Sequence, residues 1–257
     1  MTNFKIFKYA NPAKFLYLCE KTFIYLVLLT IIFLSFGLYQ GFFNSPEDYQ
    51  QGNLVRIMYV HVPSAWMALM IYSSIAIASC IYLINKHLLA NIFCKSASLI
   101  GASFTLIAIV TGSIWGKPTW GTWWVWDARL TSVLILFFLF VGYMVLFDAF
   151  DDPTKGARAA GILVIVGFVF VPIIKFSVDI LELRTLHQGA SVSKLSAPSV
   201  HESMLWPLLV MALAYAAYFI SLLLVRMRSA ILAARVRSLR MMQAQRASRA
   251  AIVPERP

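Results

Sequence analysis

The chain has 257 residues, 60% of them hydrophobic and 13% charged, with a mean hydropathy of +0.76. Soluble domains are roughly 45–50% apolar and about 25% charged, so this composition excludes a soluble globular protein and implies an integral membrane one. The formal net charge of +11 admits either nucleic acid or an anionic membrane surface as a partner, and the placement of the charges separates the two.

Lys5, Lys8, Lys14 and Lys21 precede the first apolar run. No small-residue cleavage site follows that run, so it reads as a retained helix rather than a removed signal peptide. Crossing a bilayer takes about 20 mostly apolar residues. Six runs qualify, at roughly 22–43, 58–84, 94–115, 130–150, 159–178 and 203–225. There is no sustained period-two alternation, which argues against a membrane β-barrel. The predicted fold is an all-α integral membrane protein, a bundle of six transmembrane helices.

Six spans put both termini on one side. With cytoplasmic termini, the inner segments hold 16 of the 22 lysines and arginines. The outer segments hold only Arg56, Lys117, Arg129, Lys175, Arg184 and Lys194, balanced by six acids. The positive-inside rule therefore predicts cytoplasmic termini. The excess charge then sets orientation and attracts anionic lipid, and nucleic acid is not needed to explain it. The division expected is a six-helix domain over residues 1–228 and a basic cytoplasmic tail over 229–257. The tail reads equally as an amphipathic helix on the inner surface or as a solvated basic segment.

The informative residues converge on the outer side. The first outer loop ends in Arg56-Ile-Met-Tyr-Val-His61-Val-Pro63. Pro63 suits a helix first turn, which places His61 at the mouth of the second span. An ionisable side chain at that depth is a functional candidate, the alternative being an interfacial histidine that only hydrogen-bonds.

The second outer loop holds five of the seven tryptophans: Trp115-Gly-Lys-Pro-Thr-Trp120-Gly-Thr-Trp123-Trp124-Val-Trp126-Asp127-Ala-Arg129. Pro118 predicts a helix start. A helix from there sets Trp120, Trp123, Trp124 and Asp127 at i, i+3, i+4 and i+7, three indoles and a carboxylate on one face. Tryptophan belts are common at membrane interfaces. A belt, however, spreads its rings over several helix ends, whereas these share one short segment. The pattern points to an aromatic shelf for a large planar ligand.

The third outer loop contains Thr185-Leu186-His187-Gln188-Gly189, and His201 precedes the sixth span. Two imidazoles on opposite sides of a planar ring make a sensible axial pair for haem iron. His61 is one candidate; spacing alone does not choose between His187 and His201 for the other. His87 sits in an inner loop and reads as a surface residue. Arg56, Lys117, Arg129 and Arg184 are outer cations suited to haem propionates. Asp127 and Arg129 either pair with each other or serve the ligand, and Asp127 is also suited to orienting a ring N–H or a backbone group. The cysteines Cys19, Cys80 and Cys94 form no CxxC, and no CxxCH is present, so the chain is not itself a c-type cytochrome.

These residues resemble the haem exporter protein C family of the bacterial cytochrome c maturation system. The resemblance covers roughly residues 49–228. It rests on Asp48-Tyr-Gln-Gln-Gly-Asn, the His61 context, Thr111-Gly-Ser-Ile-Trp-Gly-Lys-Pro, the tryptophan-rich WWD motif through Ser132, Ala149-Phe-Asp-Asp152 and the His187 context. It implies a periplasmic site for haem b, bound transiently, with His61 and His187 as axial ligands. It implies that the tryptophan motif lies against one edge of the haem, and with the outer cations and the acid the candidate contacts are Trp115, Trp120, Trp123, Trp124, Trp126, Asp127, Arg56 and Arg129. The implied partners are the ATPase and membrane subunits of an ABC transporter, a small single-span membrane subunit and a periplasmic haem chaperone, in the bacterial inner membrane. One segment departs from the family pattern: Asp179-Ile-Leu-Glu-Leu-Arg184-Thr stands where adjacent tryptophans are expected before the second histidine.

Two other classes compete. A bis-histidine b-type electron carrier would bury haem inside the bundle, whereas these histidines sit at helix mouths. A pore would break its helices near mid-membrane, for which Pro172 and Lys175 are weak signals. No Ser/His/Asp or paired-carboxylate arrangement appears, so no independent catalytic activity is expected.

Overall fold

The computed structural model describes residues 11–178, 186–187 and 200–252, with side chains through 248. Among them are seven α-helices and no β-strand. Six helical stretches are long and apolar enough to cross a bilayer: Pro12–Asn44, Asn53–Asn85, Leu88–Trp120, Ala128–Asp148, Pro153–Phe176 and Glu202–Ser248. The expected six spans are all present. Several are longer than predicted, because helices continue past the apolar window wherever a good cap lies further along.

Helix α1 (Pro12–Tyr39) begins ten residues before its predicted start. Asn11 caps it, its side chain accepting from the Ala13 N–H at 2.8 Å, and Pro12 occupies the first helical position. A π turn (Gln40–Asn44) ends the span. The motif that begins at Asp48 is a tight turn: its carboxylate accepts from the Gln50 and Gln51 N–H groups at 2.9 Å, and Asp48 and Gly52 exchange backbone bonds. A 3₁₀ turn (Asn53–Ile57) then leads into α2 (Met58–Asn85).

Helix α3 (Leu88–Trp120) starts at His87, whose Nδ1 accepts from the Ala90 N–H at 3.4 Å. Helix α4 (Ala128–Asp148) starts at Asp127. Asp152 caps α5 (Pro153–Gly167), and the Thr154 backbone N–H is the chief reason its carboxyl sits below the usual range. The fifth span breaks after Gly167 and resumes as α6 (Phe170–Phe176), which contains Pro172. A proline inside a helix removes one donor and crowds the carbonyl four residues back, which for Pro172 is that of Phe168. Helix α7 (Glu202–Ile252) runs without a break through the Arg-rich tail. At about 1.5 Å per residue it is far longer than the bilayer core, and all side chains of residues 232–248 are exposed.

Helices α2, α3 and α4 form the centre, with α5 against α2 and α4, and α1 chiefly against α7. Ile71, Tyr72, Ile75, Leu136, Phe140 and Tyr143 are fully buried there. The Tyr72 and Phe140 rings meet edge-on at 5.0 Å. A second cluster of Val55, Met58, Tyr59, Met204, Leu208 and Met211 backs the end of the bundle that holds Trp115. The other end carries the cation contacts: Lys95 to Asp148 at 2.7 Å, Arg226 Nε to the Ser96 carbonyl at 2.9 Å and Arg228 to Glu20 at 3.6 Å.

Candidate functional site

Two histidines far apart in sequence meet at the Trp115 end. His61 lies in the first turn of α2 and His187 beyond α6, yet their ring centroids are 6.4 Å apart, with planes inclined by 34°.

His61 is held by α3. Its Nδ1 lies 3.0 Å from the Ala108 carbonyl and 3.2 Å from the Thr111 hydroxyl oxygen. A carbonyl only accepts, so Nδ1 carries the proton and the Nε2 lone pair is left for a ligand. Thr111 donates in turn to the Ile107 carbonyl at 2.6 Å. Gly112 gives the ring its space: a Cβ there would lie 2.9 Å from His61 Cε1. Pro63 is inside α2 rather than in its first turn, because the helix already starts at Met58.

Two indoles flank the histidines. Trp115 stands edge-on to His61, with centroids 5.8 Å apart and planes at 82°. Its Nε1–H donates to Gln51 Oε1 at 2.7 Å, so the Asp48 turn anchors it. Trp120 lies 6.3 Å from His187 at 59°, and Gly116 leaves room for it, since a Cβ there would be 2.9 Å from Trp120 Cε3.

The helix expected from Pro118 does not form. Pro118 lies in the last turn of α3, which ends at Gly121 with φ +77°, a left-handed cap that favours glycine. Trp123, Trp124 and Trp126 follow in non-helical chain. Trp120, Trp123, Trp124 and Asp127 therefore do not share a helix face. Trp123 and Trp126 are 58% and 76% exposed. Trp124 is partly buried and meets Trp126 edge-on at 5.8 Å. Its indole N–H is buried with no hydrogen-bond partner among the described residues. The Lys117 ammonium lies 6.0 Å from the Trp123 ring centre.

Asp127 is buried and caps α4, its Oδ1 accepting from the Leu130 N–H at 2.7 Å. That contact fixes the start of the helix. Arg129, also buried, reaches in two directions. Its Nε donates to Ser177 Oγ at 2.9 Å, and its Nη1 lies 3.1 Å from His187 Nδ1. Arg56 donates to the Phe42 carbonyl and, at 3.0 Å, to the Ser45 carbonyl, tying the approach to α2 onto the end of the first span. Tyr59 and Ser45 share a hydroxyl hydrogen bond beside it.

His201 lies at the start of α7, exposed, with its Nδ1 2.8 Å from Ser203 Oγ. Arg184, Lys194, Gln188, Gly189 and the departing segment 179–185 lie outside the described residues. Gln51, Thr111 and Gly112 lie within the family motifs but without a role of their own legible there, and Ser177 lies in none; each matters through a partner distant in the chain.

The separation of the two histidine rings has the length that two imidazoles on one metal would span. Two coaxial imidazoles have ring centres roughly 6.4 Å apart, from bonds of about 2.0–2.1 Å and about 1.2 Å between each nitrogen and its ring centre. The His61–His187 spacing equals that distance, and rotation about the common axis leaves the angle between the planes free. Imidazole nitrogen suits iron, and the indoles beside the pair suit a flat apolar ring.

The family model described as "Heme exporter protein C" matches residues 5–242. The chain is similar to the protein of that name from Bradyrhizobium diazoefficiens, at 51% identity over 237 residues, 92% of this chain and 89% of that one. It is 47% identical over 224 residues to the same-named protein of Haemophilus influenzae, covering 87% of this chain and 90% of that one. For the Escherichia coli K12 protein the identity is 45% over 224 residues, with coverage of 87% and 89%.

Proposed function

The chain belongs to the heme exporter protein C family, and from that premise we propose that it binds haem b at the periplasmic face of the bacterial inner membrane and delivers it to a periplasmic haem chaperone during cytochrome c biogenesis. It acts as one subunit of a complex with the ATPase and membrane subunits of an ABC transporter and a small single-span membrane subunit. The observation that carries this reading is the pair of imidazoles 6.4 Å apart at one end of the bundle.

In this reading His61 and His187 are the axial ligands. Trp115 and Trp120 brace the ring beside them, while Trp123, Trp124 and Trp126 extend the apolar surface toward the partner. Arg129 contacts His187, and Arg56 lies in the 3₁₀ turn before α2. Asp127 fixes the helix start that carries Arg129. Haem brings the reactive group itself, and the protein contributes orientation, a dry aromatic wall and charge. His61 stands in the first turn of α2 and His187 lies outside the described helices, positions where a cargo enters and leaves, which favours delivery over a bis-histidine electron carrier. Lys95, Arg226, Arg228 and the exposed arginines of α7 crowd the opposite end. The positive-inside rule assigns that end to the cytoplasm, beside anionic lipid, and the histidines to the periplasm.

Absorption spectra of the purified protein, oxidised and reduced, test the reading. A b-type spectrum with two imidazole ligands is expected, abolished in the His61→Ala/His187→Ala double variant. Full haem retention by that variant would refute the ligand pair. A cysteine placed at Thr122 is expected to react with a membrane-impermeant thiol reagent from the periplasm; labelling only from the cytoplasm reverses the orientation.

A further inference from the structure

His61 and His187 present opposite faces to their neighbours. The partner of His61 Nδ1 is a carbonyl, which only accepts. His187 Nδ1 meets an arginine Nη1, which only donates. A neutral imidazole whose Nδ1 accepts carries its proton on Nε2. An Nε2–H has no lone pair for a metal. We propose that Arg129 is a latch that holds His187 in the tautomer unable to bind iron, and that a carboxylate of the haem releases it.

The inference rests on His187 being an axial ligand. For His187 Nε2 to bind iron, its proton must move to Nδ1. That nitrogen then points an N–H at the Arg129 guanidinium, two donors facing each other. The guanidinium must turn away, and Arg129 is built for this. Its Nε is tethered to Ser177 Oγ at 2.9 Å while Nη1 makes the His187 contact. The guanidinium is one rigid plane, so a small pivot about the Nε–Ser177 bond carries Nη1 off His187. A carboxylate is the acceptor that a guanidinium fork matches best. Arg129 meets Nδ1, the nitrogen of His187 that faces away from a metal on Nε2, so a haem carboxylate would have to bend out of the ring plane on its flexible arm to meet the guanidinium. A carboxylate that does so draws Nη1 away from His187.

The consequence is a double requirement. The ligand must bring a metal for His61 and a carboxylate for Arg129 before the second axial bond forms. A metalloporphyrin without free carboxylates is held by His61 alone. The same exchange run backwards weakens the grip on departure: once the carboxylate is withdrawn, Arg129 reclaims Nδ1 and His187 returns to the non-binding tautomer.

The test uses the haem-free, full-length protein in lipid nanodiscs, with haemin and haemin dimethyl ester as ligands and absorption as the readout. Haemin is expected to give the six-coordinate, two-imidazole spectrum. The ester, lacking carboxylates, is expected to give a five-coordinate spectrum and to bind about tenfold or more weakly, the loss of one charge-assisted contact. Arg129→Gln offers His187 Nδ1 an acceptor, so the ester becomes six-coordinate in that variant. A six-coordinate ester complex of the native protein overturns the latch, as does an ester complex of Arg129→Gln that stays five-coordinate. Nitrogen NMR of ¹⁵N-histidine-labelled native protein without haem gives an answer that needs no variant. It is expected to show Nδ1 unprotonated at His187 and protonated at His61, and a protonated His187 Nδ1 overturns the proposal. The ligand assignment fails separately: His187→Ala with haemin would then remain six-coordinate.

Discussion

His61 and His187 face each other across 6.4 Å, but the two halves of the site are built from different materials. His61 sits on a transmembrane helix, bonded to a backbone carbonyl of the neighbouring helix and seated over Gly112. Helix backbone does not change partners without unfolding, so this half is pre-set with its proton on Nδ1 and its lone pair on Nε2. His187 follows the broken fifth span, and among the described residues it meets the side chains of Arg129 at Nδ1 and Trp120 at its ring. Side chains rotate at little cost, so this half adjusts. A site that loads and unloads a cargo gains from one rigid wall and one movable one, because the rigid wall selects and the movable wall sets the residence time.

Substitutions sharpen or break that contrast. The largest effect is expected at the ligands themselves. His61→Ala removes the pre-set half and should weaken haem binding by roughly 100-fold or more, about 3 kcal/mol. His187→Ala should leave a five-coordinate complex weakened by only about tenfold. Equal losses in a haem titration would erase the distinction between the halves.

Gly112→Val comes next. The added carbons push into the His61 ring, a strain of about 1–3 kcal/mol in a packed site. Haem affinity should fall roughly tenfold while the helical content by circular dichroism stays unchanged. An unaffected affinity would mean that the ring is not seated as described.

The tryptophans should then divide by position. Trp120→Ala and Trp115→Ala should each cost about 1 kcal/mol of haem binding, roughly fivefold. Trp126→Ala, at 76% exposure, should change it less than about twofold. Weakening by Trp126→Ala as severe as by Trp120→Ala would return the site to a shelf built on the loop.

The smallest effect is predicted for Thr111→Val. It removes the secondary contact at 3.2 Å but leaves the Ala108 carbonyl to hold the same tautomer. The expected loss in the same titration is about two- to threefold, below the usual range for the sole partner of a ligand histidine.

The tryptophan segment shows where one-dimensional reading falters. Periodicity from Pro118 predicts a helix with its indoles on one face. The actual boundaries lie at Gly121 and Asp127, a left-handed cap and an N-cap. Both signals stand in the sequence, and a proline three residues before a C-cap glycine is also a legible helix end. The Pro63 expectation strays for a related reason, since the 3₁₀ turn at Asn53–Ile57 feeds α2 earlier than its proline suggests. The basic tail follows the same pattern: with no proline or glycine after Pro207 until Pro254, α7 simply continues, as helix at least to Ile252.

Composition and run length were enough, unaided, to determine six apolar helices, because a bilayer imposes one length and one backbone solution on any segment that crosses it. The histidines and tryptophans announced themselves as well, being too polar or too concentrated for plain lipid-facing helix. Tertiary structure alone decided that Gln51 holds Trp115, that Ala108 sets the tautomer of His61 and that Arg129 joins Ser177 to His187. Those contacts join residues 47 to 64 positions apart, and no local propensity records which side chains a fold will bring within 3 Å of each other.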